Sequence, residues 1–345
     1  MRLLPRLVLA APAFWRHDGL PARLLAPIGA IWGAITAARM RARPRGRVDV
    51  PVVVVGNFTQ GGAGKTPVVA ALIAAARAAG RRPAVVTRGY GGSTTGPLRV
   101  DPARHSSHVV GDEALLHAAL APTVVAADRV AGARLAEADG ADLILLDDGL
   151  QNPALARDGA IVVIDGGAGI GNGRVVPAGP LRAPLDVQLA TIDAAVVIDG
   201  GDGIAAATAA LAARIAAAGH PVATARVMVR EAATFAGGRF LAFAGIGRPE
   251  KFAATLRAIG AAEVRLEAFG DHQHLDEAAA RRLLDEAEQA GLTLVTTAKD
   301  AARLAGETSP ALARLRAAAR VVAIDLAFDG DGLWPIVAAR IVGGR

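Results

Sequence analysis

Residues 54–67 read VVGNFTQGGAGKTP, and their types and spacing suit phosphate binding. An apolar run, Pro51 to Val55, enters a glycine-rich turn that ends in Gly64-Lys65-Thr66, and a helix-compatible run follows from Val68 to Ala79. In a strand, loop and helix of this kind, backbone N–H groups of Thr59, Gln60, Gly61, Gly62, Ala63 and Gly64 form a cradle, and the helix dipole favours an anion. Lys65 would reach the β- and γ-phosphates of a nucleotide, and the Thr66 hydroxyl would ligate Mg²⁺. The usual pattern has glycine five positions before Gly64, where this chain has Thr59, so Gly61 and Gly62 are expected to supply the flexibility. An ordinary glycine-rich turn is the alternative; the flanking strand and helix argue against it. Lysine usage argues the same way, since among 38 Lys+Arg only Lys65, Lys251 and Lys299 are lysine. A compact ammonium on a thin stem fits between phosphates where a guanidinium does not.

Other residues could join that chemistry. Residues 141–148, ADLILLDD, form an apolar strand ending in Asp147 and Asp148. Carboxylates at that position can hold Mg²⁺ directly or through water, against the alternative of a helix cap. Asp112 in Gly111-Asp112-Glu113 precedes a helix, and taken alone it is best read as that helix's N-cap. The stretch Phe269-Gly270-Asp271-His272-Gln273-His274 follows a strand; it could bind metal, act as acid and base, or form a turn. Thr87–Gly92, TRGYGG, sets Arg88 and the only tyrosine, Tyr90, on a loop at the sheet edge where ligands of open α/β sheets bind. Lys299 follows an apolar run in TTAKDAAR and has the plain alternative of a surface lysine at a helix start.

Short apolar strands alternate with Ala-rich helical stretches along the chain, the mark of a largely parallel α/β sheet. The expected fold is P-loop NTPase-like, a mostly parallel sheet flanked by helices, with a second, smaller α/β lobe. The expected segments are a basic and apolar N-terminus over 1–50, a nucleotide-binding core over 51–222, a linker over 223–238 and the second lobe over 239–345. A single strand is expected over Val321–Ala327. A chain of 345 residues can bury one large or two moderate cores. The absence of cysteine excludes a disulfide framework or a Cys-based metal site and fits a reducing compartment.

Charge is unevenly spread. Residues 1–50 hold nine Arg and two Asp, a net of +7, and the remainder carries 29 basic and 30 acidic residues. A nucleic-acid-binding globule is therefore disfavoured, and 3% aromatic content gives no base-stacking platform. Leu24 to Ala38 is an uncharged stretch flanked by arginines. As a helix it covers about 22 Å, short of a hydrocarbon core of roughly 30 Å. It suits a helix lying in an interface that carries anionic lipid, with a buried soluble helix as the rival.

GNFTQGGAGKTP, TRGYGG, GDEALL, LLDDGLQN, VVIDG with GNGRVVPAGPLR, FAGIGRPEKF, FGDHQHL and TTAKDAARL occur in an order that resembles the tetraacyldisaccharide 4'-kinase family, over about residues 50–305. The resemblance implies an enzyme on the cytoplasmic face of a Gram-negative inner membrane that uses ATP and Mg²⁺. Its acceptor would be the 4'-hydroxyl of a tetraacylated glucosamine disaccharide 1-phosphate, and its product a lipid A precursor. By motif match, Asp112 and His272 would activate the sugar hydroxyl, and Thr66, Asp147 and Asp148 would serve the metal. Arg88, Tyr90 and Arg182 would fall in the active-site and substrate region. Departures from the family pattern at Gln273, Leu275 and Ala298 leave the cradle and the Asp112–His272 pair untouched. Two rivals are weighed. A P-loop GTPase or metallochaperone-type switch should carry an N/T-K-x-D sequence, and in TTAKD the Asp follows Lys299 directly. A non-enzymatic, membrane-bound ATP-binding scaffold would transfer no phosphate.

Overall fold

The computed structural model describes residues 12–201, 203–271, 273–307 and 309–343; His272, expected above to act on the acceptor, lies outside them. The chain forms α1 (Leu20–Met40), β1 (Val52–Gly56), α2 (Lys65–Ala78), β2 (Pro83–Thr87), β3 (Leu98–Arg99), α3 (Ser107–Val110) and α4 (Asp112–Ala118). There follow β4 (Thr123–Val125), α5 (Arg129–Ala138), β5 (Leu143–Asp147), β6 (Gly159–Asp165), α6 (Leu185–Leu189), β7 (Ala194–Asp199), α7 (Ala206–Ala217) and β8 (Val222–Val229). A second set comprises β9 (Arg239–Ala244), α8 (Pro249–Ala258), β10 (Glu263–Ala268), α9 (Glu277–Ala290), β11 (Thr293–Thr297), α10 (Ala298–Leu304), α11 (Pro310–Ala318) and β12 (Arg320–Val322). The chain ends with β13 (Ile324–Phe328) and α12 (Trp334–Gly343).

These elements divide into two compact units, one of Ala13–Met228 with Ile324–Arg345 and one containing Val229–Ala323. The first is built on a nine-stranded sheet in the order β13-β8-β7-β6-β1-β5-β2-β4-β3. β4, β2, β5, β1, β6, β7 and β8 run parallel, and β3 is antiparallel to β4. β1, β2 and β5 are buried along their whole length, as strands covered by helices on both faces must be. α2 buries Val68, Val69, Leu72, Ile73 and Ala76, one helical stripe, against that sheet. β1 lies at the switch point, with β5 on one side and β6 on the other, so its exit loop opens into the crevice where α/β sheets bind ligands. The second unit is a four-stranded parallel sheet, β10-β9-β11-β12.

The segment boundaries differ from those expected. Residues 223–229 belong to β8 rather than to a linker, because Ala223 and Ala225 are buried in the large core with Val196 and Ile198. Phe235, also expected in the linker, is buried with Phe240 and Leu256 of the second unit. The single strand expected over 321–327 is two strands serving two cores. Val322 packs with Phe240 and Val295, whereas Leu326 and Phe328 pack on the core of Val68 and Leu72. Residues 324–343 thus return to the first unit instead of completing the second.

α1 is 21 residues long, about 32 Å at 1.5 Å per residue, so the apolar helix exceeds the stretch marked out by its uncharged residues. It is long and apolar enough to cross a membrane by length and composition. One face is small and docked: a Cβ on Gly29 would meet the Val175 carbonyl oxygen at 2.7 Å, and one on Gly33 would meet Pro184 at 3.3 Å. Leu20, Leu24, Ile28, Ile31, Trp32 and Ile35 are 50–70% exposed. Ahead of the helix, the Trp15 indole donates to the Pro177 carbonyl (3.0 Å), and Arg174 pairs with Asp18 (2.6 Å).

Candidate active site

The cradle forms where the sequence places it, between the end of β1 and the start of α2. Gly64 immediately precedes α2 with φ 89°, a left-handed conformation that suits glycine, and a Cβ there would meet Ile198 Cδ1 at 2.6 Å. Carbonyl groups of the loop are held from outside. Asn57 O accepts from Gln151 Nε2 (2.8 Å), Phe58 O from Gln188 Nε2 (3.2 Å) and Thr59 O from Arg182 Nε (2.8 Å). Asn57 Nδ2 also donates to Thr59 O (2.8 Å), and Gln151 and Gln188 are joined to each other at 2.8 Å. With these carbonyls engaged, the geometry of the loop is set before any ligand arrives, which is what electrostatic preorganisation requires.

Lys65, the first residue of α2, is buried. Its Nζ donates to Asn57 Oδ1 (3.2 Å) and lies 3.4 Å from Asp148 Oδ1. Arg182 Nη1 donates to both oxygens of Asp148, at 2.8 and 2.9 Å. The structure therefore uses Arg182, grouped above with the substrate region, to join the cradle to Asp148. Asp148 leaves β5 with φ 54°, a conformation that Asp tolerates better than most residues. Burial by itself would raise its pKa, but Lys65 and Arg182 outweigh that and hold the carboxyl at about 2.

Asp147 sits one residue deeper and is wholly buried. Its Oδ2 lies 3.2 Å from His117 Nε2 and 3.5 Å from Thr87 Oγ1, while Oδ1 has no hydrogen-bond partner among the described residues. A buried carboxylate oxygen left open beside a phosphate cradle fits a hard divalent cation, which takes oxygen ligands. The residues that could hold it are Asp147, Asp148 and the Thr66 hydroxyl.

Asp112 is the first residue of α4, and the cap position belongs to Gly111 (φ 84°), so the N-cap alternative does not apply. The Asp112 carboxylate is buried and accepts from Glu113 N at 2.8 Å. A Cβ on Gly111 would meet Tyr90 O at 2.5 Å, so only glycine lets the 87–92 loop lie against this turn. That contact, with Ser93 N donating to His108 O (2.9 Å), gathers Arg88, Tyr90 and Asp112 at one exit of the large sheet. Arg88 and Tyr90 are exposed there. Lys299 and Asp271 lie 3.8 Å apart in the second unit.

Sequence reasoning missed Asn57, Gln151 and Gln188, the donors that shape the cradle, and two buried groups, His117 and Arg129. Arg129 opens α5 and donates to Ala126 O; burial lowers its pKa, partly countered by the nearby carboxylates of Asp148 and Asp147. A signal for His117 existed. Ala114 and His117 are one turn apart on α4 and both buried, so a histidine stands where the helix turns towards the core.

The sequence model of the LpxK family, tetraacyldisaccharide-1-P 4'-kinase, matches residues 21–341. The tetraacyldisaccharide 4'-kinase of Methylobacterium sp. (strain 4-46) is 52% identical over 98% of this chain and 99% of its own length. That of Rhodospirillum rubrum is 45% identical over the same shares, and that of Nitrobacter winogradskyi is 49% identical over 93% of this chain and 94% of its own. Among solved structures, LpxK from Aquifex aeolicus in complex with ATP superposes with a TM-score of 0.68 at 22% identity, covering 93% of this chain and 99% of that one, a likeness of fold.

Proposed function

We propose a mechanism on the premise that this chain belongs to the tetraacyldisaccharide 4'-kinase family, bacterial kinases of lipid A biosynthesis, as its full-length likeness to curated members shows. The reaction is transfer of the γ-phosphoryl group of ATP to the 4'-hydroxyl of a tetraacyl disaccharide 1-phosphate. One observation carries the reading: a preorganised cradle with buried Lys65 stands beside Asp148 and a buried oxygen of Asp147 that has no hydrogen-bond partner among the described residues.

Phosphoryl transfer asks a protein mainly for positioning and charge stabilisation. The N–H groups of 59–64 and the start of α2 receive the phosphates. Lys65 exchanges its contacts with Asn57 and Asp148 for phosphate oxygens. Thr66, Asp147 and Asp148 would hold Mg²⁺, which would supply positive charge to offset that of the phosphates. Arg182 keeps Asp148 ionised and the loop in place. Asp112, with His272, orients and deprotonates the acceptor hydroxyl, a poor nucleophile at neutral pH. Arg88 and Tyr90, on the loop against Gly111, are placed to meet the acceptor.

The lipid acceptor accounts for α1. A helix docked by its glycine face, presenting Leu24, Ile28, Ile31, Trp32 and Ile35 outward, suits the plane of a cytoplasmic-face interface. Arg39 in its last turn and Arg41, Arg43, Arg45 and Arg47 after it suit anionic headgroups.

The test uses γ-labelled ATP with a tetraacyl disaccharide 1-phosphate in mixed micelles. Label should enter the lipid, unlabelled ATP should compete and GTP should not. Release of label only as free phosphate would overturn the kinase reading for this site. Asp112→Ala and His272→Ala should each lower kcat about 10²- to 10⁴-fold with ATP binding retained, and the double variant should be little worse than the worse single one. Fully multiplying losses would assign the two residues separate roles.

A further inference from the structure

We infer that His117 is a positioning residue: it fixes the inner oxygen of Asp147 and, through α4, ties Asp112 to that carboxylate. The inference rests on the reading of Asp147 as a cation ligand.

His117 is fully buried on α4, one turn after the buried Ala114. An apolar side chain there would satisfy packing. The imidazole instead carries a polar atom, Nδ1, that has no partner among the described residues, and burying such a group unsatisfied is unfavourable. What offsets that cost is the other nitrogen. Nε2 meets Asp147 Oδ2 at 3.2 Å, and a carboxylate only accepts, so the ring must donate from Nε2. Thr87 Oγ1, from the neighbouring strand β2, approaches the same oxygen at 3.5 Å.

Both contacts fall on Oδ2 and neither on Oδ1. Turning the carboxylate out of its plane would break both, so these contacts hold it in one orientation and leave Oδ1 as the unpartnered oxygen for a cation to use. Outer partners of this kind orient metal-binding carboxylates, and their loss typically costs about 10- to 100-fold in metal affinity. The same contact has a second consequence. α4 begins with Asp112 and reaches His117 five residues later, so the Nε2–Oδ2 bond fastens the helix that presents Asp112 to the strand end that presents Asp147.

The experiment measures Mn²⁺ affinity by electron paramagnetic resonance in the presence of a non-hydrolysable ATP analogue, on the full chain. His117→Leu should weaken Mn²⁺ binding about 10- to 100-fold while metal-free nucleotide affinity stays unchanged. His117→Gln, whose amide nitrogen can occupy the place of Nε2, should recover most of the loss. Wild-type Mn²⁺ affinity in a folded His117→Leu protein would reduce the residue to core filler and overturn the inference. Asp147→Asn separates the two levels: if it leaves Mn²⁺ affinity intact, the cation reading of Asp147 falls first. Should His117→Leu not fold, ¹⁵N-histidine NMR of the wild type decides. An Nε2–H tautomer whose signal moves on adding Mg²⁺ is expected; an Nδ1–H tautomer, or a signal indifferent to Mg²⁺, overturns the inference.

Discussion

Both sheets carry charged groups at the exits of their parallel strands, and the two edges use the same ingredients to opposite ends. In the large unit, Asp148 is gripped by two cations, Lys65 and Arg182, and its side chain keeps 35% of its exposure. In the second unit, Asp300 has one guanidinium, that of Arg303, and both side chains are 4–5% exposed. Asp300 Oδ1 also accepts from Gly245 N (3.0 Å), Oδ2 accepts from Thr297 Oγ1 (2.6 Å), and Arg303 donates to Gly245 O (2.6 Å). The two Gly245 contacts fasten the β9 exit loop to α10, while Thr297 caps that helix and Arg303 pairs within it. The carboxyls respond accordingly. Surplus positive charge holds Asp148 at about 2 against its burial, whereas burial pushes Asp300 above the ordinary Asp value despite Arg303. A carboxylate with an exposed face beside two cations makes a site that can exchange partners; a sealed pair makes a latch.

The largest expected effect breaks the latch. Asp300→Ala leaves Arg303 buried without its carboxylate and should cost about 3–5 kcal/mol of stability, read by urea unfolding, with nucleotide affinity in the folded protein unchanged. A loss of nucleotide affinity without a loss of stability would make this edge part of the site after all.

The counterpart breaks the cradle. Lys65→Arg keeps the charge but brings a broad planar fork into a buried slot, and should lower kcat about 10²- to 10³-fold with little change in melting temperature. Near-normal activity would remove the argument from lysine scarcity.

Titration sharpens the contrast further, because the two carboxyls have opposite signs. Asp148, ordinarily near 3.8, is lowered to about 2 in the fold, so its contribution is full above the unfolded value and lost as pH falls from about 4 towards 2. Asp300 is raised, so protonation favours the native state, and its contribution declines as pH rises through its folded value. Stability of Asp148→Asn should fall less steeply than wild type over the acid range; a parallel acid limb would show that Asp148 is not held down by Lys65 and Arg182.

The smallest effect concerns α1. Trp32→Ser removes one anchor from the exposed stripe and should weaken binding to vesicles containing anionic lipid by about 1–3 kcal/mol, without altering ATP affinity. Unchanged vesicle binding would move the anchor elsewhere.

Local pattern determined much of this protein. Strands β1, β5 and β6, the helix after the cradle, and the placing of Lys65 and Thr66 at a helix start and of Asp147 and Asp148 at a strand end all follow from period and turn chemistry. These depend on neighbours in the chain, which a sequence displays directly. Tertiary structure decided what depends on contacts between distant segments. Only packing into two different cores splits residues 320–328 between two sheets, and only the fold brings Arg182 to Asp148, Gln151 and Gln188 to the loop carbonyls, and His117 to Asp147. None of these partners is close in sequence, and polar residues such as Gln and His carry no period that names their partner. A glycine-rich loop announces that a phosphate can be held; which side chains stiffen that loop, and which oxygen of a carboxylate is left open, is settled by three-dimensional neighbours alone.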